Sequence, residues 1–134
     1  MYRIGLSRSF RAFHYLVGDG RGEENAPHAH PYRMEWNLTG PDLGPEGFVA
    51  DLAALGRWAD AVLSEVQDTT LNDHPAFEGG SPTVERLARH LWDRLAAGRG
   101  QWDPQRRVRW AEVAILESDS EWGAWSSDLA AGRA

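Results

Sequence analysis

Apolar residues hold the even positions at the start of the chain: Tyr2, Ile4, Leu6, Phe10, Ala12 and His14, interrupted only by Arg8. A period of two predicts a strand with one face on a core, and His14 ends it on that face. Residues 18–27, with three glycines, two glutamates and an asparagine, have the composition of a turn. The alternation then resumes. His28, His30, Tyr32, Met34, Trp36 and Leu38 fall on one side, and Ala29, Pro31, Arg33, Glu35 and Asn37 on the other, which predicts an antiparallel hairpin partner. Pro31 strains this reading, because proline cannot donate to a ladder.

After a Gly/Pro turn over 39–47, Phe48–Ala50 reads as a short strand running into a helix capped by Asp51. Leu52, Leu55, Trp58, Ala59, Val62 and Val66 form its apolar stripe. Residues 67–80 read as a loop. Ser81 followed by Pro82 predicts a helix start with proline in the first helical position, and Val84, Leu87, Ala88, Leu91, Trp92 and Leu95 make the stripe, stopped by Gly98 and Gly100. Strand character returns over 107–118, with Val113, Ile115 and Glu117 on one side and Ala114 and Leu116 on the other. A tail with Trp122 and Trp125 follows. Strand, strand, helix, helix, strand, without βαβ alternation, predicts an α+β fold: an antiparallel sheet covered on one face by helices.

The 134 residues suit a single domain, 1–134. A net charge of -6 gives no support to nucleic-acid binding. Every basic residue other than histidine is arginine, and cysteine is absent, so disulfides and thiol chemistry are excluded and any metal must be held by histidine and carboxylates. No apolar run approaches membrane-spanning length and the first residues have no apolar signal region, so a cytoplasmic protein without membrane or nucleic-acid partners is expected. Seven tryptophans suggest that some are buried at subunit contacts.

In an extended strand His28 and His30 project to one side about 7 Å apart, and a hairpin could bring His14 to them. Three neutral imidazoles with an open fourth position are the ligand pattern of a catalytic zinc, which needs room for water or substrate. A bare pair of alternate histidines is more often structural or solvated, so the residues alone leave both readings open.

The flanking segments add to this. F-R-A-F-H ending at His14, H-A-H-P-Y from His28, G-F-V-A-D ending at Asp51, D-T-T-L-N-D from Asp68, S-P-T-V-E from Ser81 and L-E-S around Glu117 occur in one order. Together they resemble the 6-pyruvoyl-tetrahydropterin synthase and 6-carboxy-tetrahydropterin synthase family. The resemblance implies a tunnelling fold, with a four-stranded antiparallel sheet and two helices on one face, assembled into a barrel as a homo-trimer or homo-hexamer whose active sites are built across subunits. It also implies a zinc ion on His14, His28 and His30 that polarises the side chain of a pterin-like small-molecule substrate, and a glutamate, Glu117, that anchors the pterin ring. A carboxylate suits that task because it accepts two hydrogen bonds from an amino-pyrimidine edge. Without the family, Glu117 reads as a solvated strand-end residue.

Two positions depart from the family pattern. Its proton-transferring cysteine is here Glu24, and the histidine of its Asp-His pair is Thr69, after Asp68. A partly desolvated carboxylate beside a metal can act as a base, so Glu24 is the candidate; the bland alternative is that Glu23 and Glu24 solubilise a flexible loop. Family variants with glutamate here cleave the dihydroneopterin side chain to 6-hydroxymethyl-dihydropterin. His74 could replace the missing histidine or be merely exposed. Asp68 keeps the position of an orienting residue without its partner, and Thr83 could bond a ligand or cap its helix. The expected function is a zinc-dependent lyase or synthase acting on the side chain of a dihydropterin such as dihydroneopterin or its triphosphate. The alternatives are a metal enzyme of this fold recruited to another small molecule and a non-catalytic, metal-stabilised binding module.

Overall fold

The computed structural model describes residues 1–129. Two long strands, β1 (Tyr2–His14) and β2 (His28–Gly40), pair antiparallel without a break, from Tyr2 opposite Gly40 to His14 opposite His28. Two helices, α1 (Leu52–Ser64) and α2 (Val84–Ala97), and a single turn, α3 (Arg99–Trp102), follow. Strands β3 (Trp110–Leu116) and β4 (Trp122–Asp128) complete a four-stranded antiparallel sheet in the order β1-β2-β3-β4. The period-two pattern decides which face is covered. Phe10, Ala12, Tyr32, Met34, Trp36 and Leu38 are buried against Leu55, Ala59 and Val62 of α1, Leu87 and Leu91 of α2, and Val113 and Ile115 of β3. Each large aliphatic side chain so buried contributes about 1.5–3 kcal/mol.

Arg8, which breaks the alternation of β1, faces the helices. Its Nε reaches Asp60 Oδ1 on α1 at 2.9 Å. The helix admits the guanidinium at Gly56, where an added Cβ would lie 2.7 Å from it. Pro31 is accommodated by register. It sits opposite Arg11, whose N–H and C=O point away from β2, to Gln67 Oε1 and to the Asp68 N–H. The two residues are therefore a non-hydrogen-bonded pair, and the absent proline N–H costs the β1–β2 ladder nothing. It lies beyond the end of β3, whose last partner is Arg33.

Three expectations need correction. Phe48–Ala50 is not a strand: the Phe48 carbonyl closes a turn onto the Gly44 N–H, and Val49 is buried in the core. The second helix starts after Pro82, not at it, because Thr83 is the N-cap and its Oγ1 accepts the Arg86 N–H at 3.3 Å. The tail with Trp122 and Trp125 is a fourth strand. Trp36 and Trp102 are fully buried within the subunit, while Trp110, Trp122 and Trp125 are exposed.

A buried ion pair holds the far end of the fold. Arg99 and Asp103, 3% and 2% exposed, are 3.1 Å apart. Arg99 also donates to the carbonyls of Val108 and Leu129, and Asp103 accepts the N–H groups of Arg107 and Val108. The pair thus ties α3 to the entry of β3 and the exit of β4.

The outer edge of β1 is covered only in part. Beyond the Arg11 bonds, Phe13 N–H donates to the Thr69 carbonyl, and Asn72 bonds both the N–H and the C=O of Tyr15. Over residues 2–9 the outward backbone groups have no backbone partner among the described residues. No described helix is long and apolar enough to cross a membrane.

Candidate active site

The register brings the three histidines together. His14 lies opposite His28, and His30 opposite Ala12, all at the end of the hairpin where residues 15–27 join the two strands. The ring centroids of His14 and His28 are 4.5 Å apart, and those of His14 and His30 5.7 Å.

Second partners fix two of the tautomers. His28 Nδ1 faces the Ala26 carbonyl at 3.0 Å and His30 Nδ1 the Pro31 carbonyl at 2.9 Å. A carbonyl only accepts, so each Nδ1 carries the proton and each Nε2 keeps its lone pair for a metal. His14 is held differently: its Nδ1 is 3.0 Å from the Tyr32 hydroxyl. Burial, then the neighbouring His28 and His30, push the His14 pKa below its usual value; the Pro82 carbonyl and Glu24 offset this only in part. A neutral imidazole is the form that ligates a metal.

The donor chemistry therefore fits zinc, but the rings are neighbours without converging. Among the described residues no group of three or more His, Asp and Glu side chains forms a ready metal cage.

Glu24 belongs to the same neighbourhood. It lies in a one-turn 3-10 helix, Gly22–Asn25, and its carboxylate acts on His14. That turn is stitched to the chain just past His14: the Glu24 carbonyl accepts the Leu16 N–H at 2.7 Å, and Asn25 Nδ2 donates to the carbonyls of Leu16 and Gly18. The segment is an anchored turn.

Glu117 follows directly on β3 and borders a cleft of about 440 Å³ that includes Phe10, Arg11, Tyr32, Arg33 and Gln67. Tyr32 connects this cleft to the histidines. Its ring stacks on His30 at 4.9 Å, its hydroxyl meets His14, and burial followed by the Glu117 charge raises its pKa far above the usual phenol value.

The remaining candidates have partners of their own. Asp68 has a left-handed backbone, φ 57°, and its carboxylate accepts from Arg11 Nε at 3.1 Å, a residue on the opposite face of β1 from His14. His74 packs on His90, with ring centroids 4.7 Å apart, and its Nδ1 accepts the Ala76 N–H. Thr83 caps α2. Sequence reasoning did not single out Tyr32, Asn72 or Pro82. Only Tyr32 carried a signal, since it continues the His28, His30 alternation onto the same face.

Comparison with known proteins gives a consistent result. A family model described as 6-pyruvoyl tetrahydropterin synthase matches residues 3–127. The 6-carboxy-5,6,7,8-tetrahydropterin synthase of Bacillus subtilis (strain 168) is 24% identical over 100 residues, which are 72% of this chain and 66% of that enzyme, just under two thirds of its length. Among solved structures, the Caenorhabditis elegans 6-pyruvoyl tetrahydropterin synthase aligns with a TM-score of 0.74 at 24% identity, over 95% of this chain and 97% of that one. A Plasmodium vivax 6-pyruvoyltetrahydropterin synthase, in a form with its catalytic glutamate replaced by cysteine, aligns with a TM-score of 0.74 at 15% identity, over 96% and 100%. At such identities the structural matches speak for the fold.

Proposed function

This chain belongs to the 6-pyruvoyl tetrahydropterin synthase family, and from that premise we propose that it is a zinc-dependent lyase or synthase acting on the side chain of a dihydropterin such as dihydroneopterin or its triphosphate. The observation that carries the reading is the gathering of His14, His28 and His30 at one end of the hairpin, with the Glu24 charge acting on His14 and Tyr32 shared between the histidines and the cleft that Glu117 borders.

His14, His28 and His30 would hold the metal. When bound, a zinc ion supplies Lewis acidity for an oxygen of the substrate side chain. The chain's own residues do the rest. Glu117 accepts hydrogen bonds from the amino-pyrimidine edge and sets the orientation of the ring, so that the side chain extends toward the histidines. Glu24 moves protons between side-chain carbons, or takes the hydroxyl proton whose loss opens a carbon-carbon bond. A catalytic glutamate is also what the Plasmodium vivax enzyme carries, which supports Glu24 in place of a cysteine. Assembly of subunits is part of the proposal. The outer edge of β1 is open over residues 2–9, and Trp110 and Trp122 are 44% and 62% exposed, as suits a homo-trimer or homo-hexamer with faces to cover.

The test is to load the protein with zinc, measure its metal content, and incubate it with 7,8-dihydroneopterin and with the triphosphate. Conversion of either, lost on chelation and regained with zinc, is the expected result. No turnover of either by protein shown to hold metal would overturn the reading.

A further inference from the structure

The placement of Tyr32 has a consequence for the histidines, resting on the zinc reading above. With Nδ1 of His14 facing the Tyr32 hydroxyl, only Nε2 remains as a ligating atom on that ring. A neutral imidazole carries one proton and a phenol carries one. Across a 3.0 Å contact these protons can be arranged in two ways. In the first, the Tyr32 hydroxyl donates to Nδ1 and the imidazole proton sits on Nε2. In the second, Nδ1–H donates to the Tyr32 oxygen, the Nε2 lone pair is bare, and the hydroxyl proton turns elsewhere. His28 and His30 have no such choice, because their Nδ1 partners are carbonyls that can only accept.

We propose that Tyr32 is a positioning residue whose hydroxyl sets the tautomer of His14, holding it closed to a metal in the first arrangement and open in the second. The residue is built for the task. It is 3% exposed, and its ring is clamped between Phe10 at 5.2 Å and His30 at 4.9 Å, so the hydroxyl keeps its position while its proton changes direction. When His14 opens, that proton becomes available to an acceptor in the cleft that Tyr32 shares with Glu117.

The variant is Tyr32→Phe, which keeps the ring and its stacking and removes only the hydroxyl. Two readouts are needed besides activity. In the zinc-free full-length protein, imidazole ¹⁵N shifts at fixed neutral pH should show His14 as the Nε2–H tautomer with a hydrogen-bonded Nδ1, and Tyr32→Phe should change that pattern while His28 and His30 stay in the Nδ1–H form. In competition titrations with a chelating dye, loss of this partner should change zinc affinity by about 10–100-fold, and addition of zinc to the wild type should convert His14 to Nδ1–H. A His14 spectrum identical in wild type and Tyr32→Phe would overturn the proposal. So would a wild-type His14 that is already Nδ1–H without zinc. A wild type that takes no zinc at all would instead overturn the metal reading, and the metal-free spectra would still decide the role of Tyr32.

Discussion

Replacing Arg99 by methionine keeps an apolar stem in place and removes every donor. Asp103, 2% exposed, then loses its only side-chain partner among the described residues, while the carbonyls of Val108 and Leu129 lose the Arg99 donors. Breaking one side of a buried pair costs about 3–5 kcal/mol, because a charge is left without compensation. At about 2.1 cal/mol/K of unfolding entropy per residue, the 134-residue chain shifts its Tm by about 3.6 °C per kcal/mol. Arg99→Met should therefore lower Tm by about 10–18 °C. Adding Asp103→Asn removes the stranded charge but keeps one acceptor oxygen where the Arg107 and Val108 N–H groups use two, so the double variant should recover part of the loss and remain less stable than wild type. The assay is thermal and urea unfolding of zinc-free protein, with all variants at one concentration because association also stabilises. A single variant costing under about 1 kcal/mol, or a double variant as unstable as the single, would refute the reasoning.

Three more predictions concern the site and its surroundings. Glu24→Gln should lower kcat by about 10²–10⁴-fold with zinc content unchanged; a small effect in steady-state assays would remove Glu24 from the proton chemistry. Glu117→Gln should weaken pterin binding in a fluorescence titration while leaving zinc affinity intact, and equal pterin affinity in both proteins would contradict the anchoring role. His90, half-buried and facing His74, with Glu65, Asp93 and Arg94 acting on it, has a pKa lowered from the usual 6.5, first by burial and then by His74. Above 6.5 it is neutral in both the folded and unfolded states and contributes nothing. As pH falls through 6.5 the unfolded chain binds the proton first, so folded stability declines on acidification. Urea titrations from pH 7.5 to pH 5 should show a shallower decline for His90→Gln than for wild type.

Much of the site was legible because it lies on alternate positions of two long strands. Once His14 and His28 are opposite each other, His30 and Tyr32 follow on the same face. The bonds that pin the chain beside His14 were not legible, since Asn72, which holds Tyr15, comes from chain more than fifty residues away, and no local pattern reports such a return. Strand β4 escaped a reading by alternation for a different reason. Its burial along Trp122–Asp128 runs exposed, two intermediate, exposed, two intermediate, exposed, because an edge strand packed by α2 alone never buries one face completely. The start of α2 was misplaced by one residue pair because Ser81 and Thr83 are both good caps around a proline, and only the backbone of Arg86 decides between them. Phe48–Ala50 has strand composition but serves as a plug, with Val49 inserted into the core from a turn.

The loop that covers the end of β1 has one further effect. Because Gln67, Asp68, Thr69 and Asn72 take up the outward backbone groups of Arg11, Phe13 and Tyr15, another strand can add to this edge only as far as Ser9. The loop is a mechanical end-stop. A strand added along β1 would halt against it, so in the proposed assembly the segment that flanks His14 would also set the register of a second subunit on this edge.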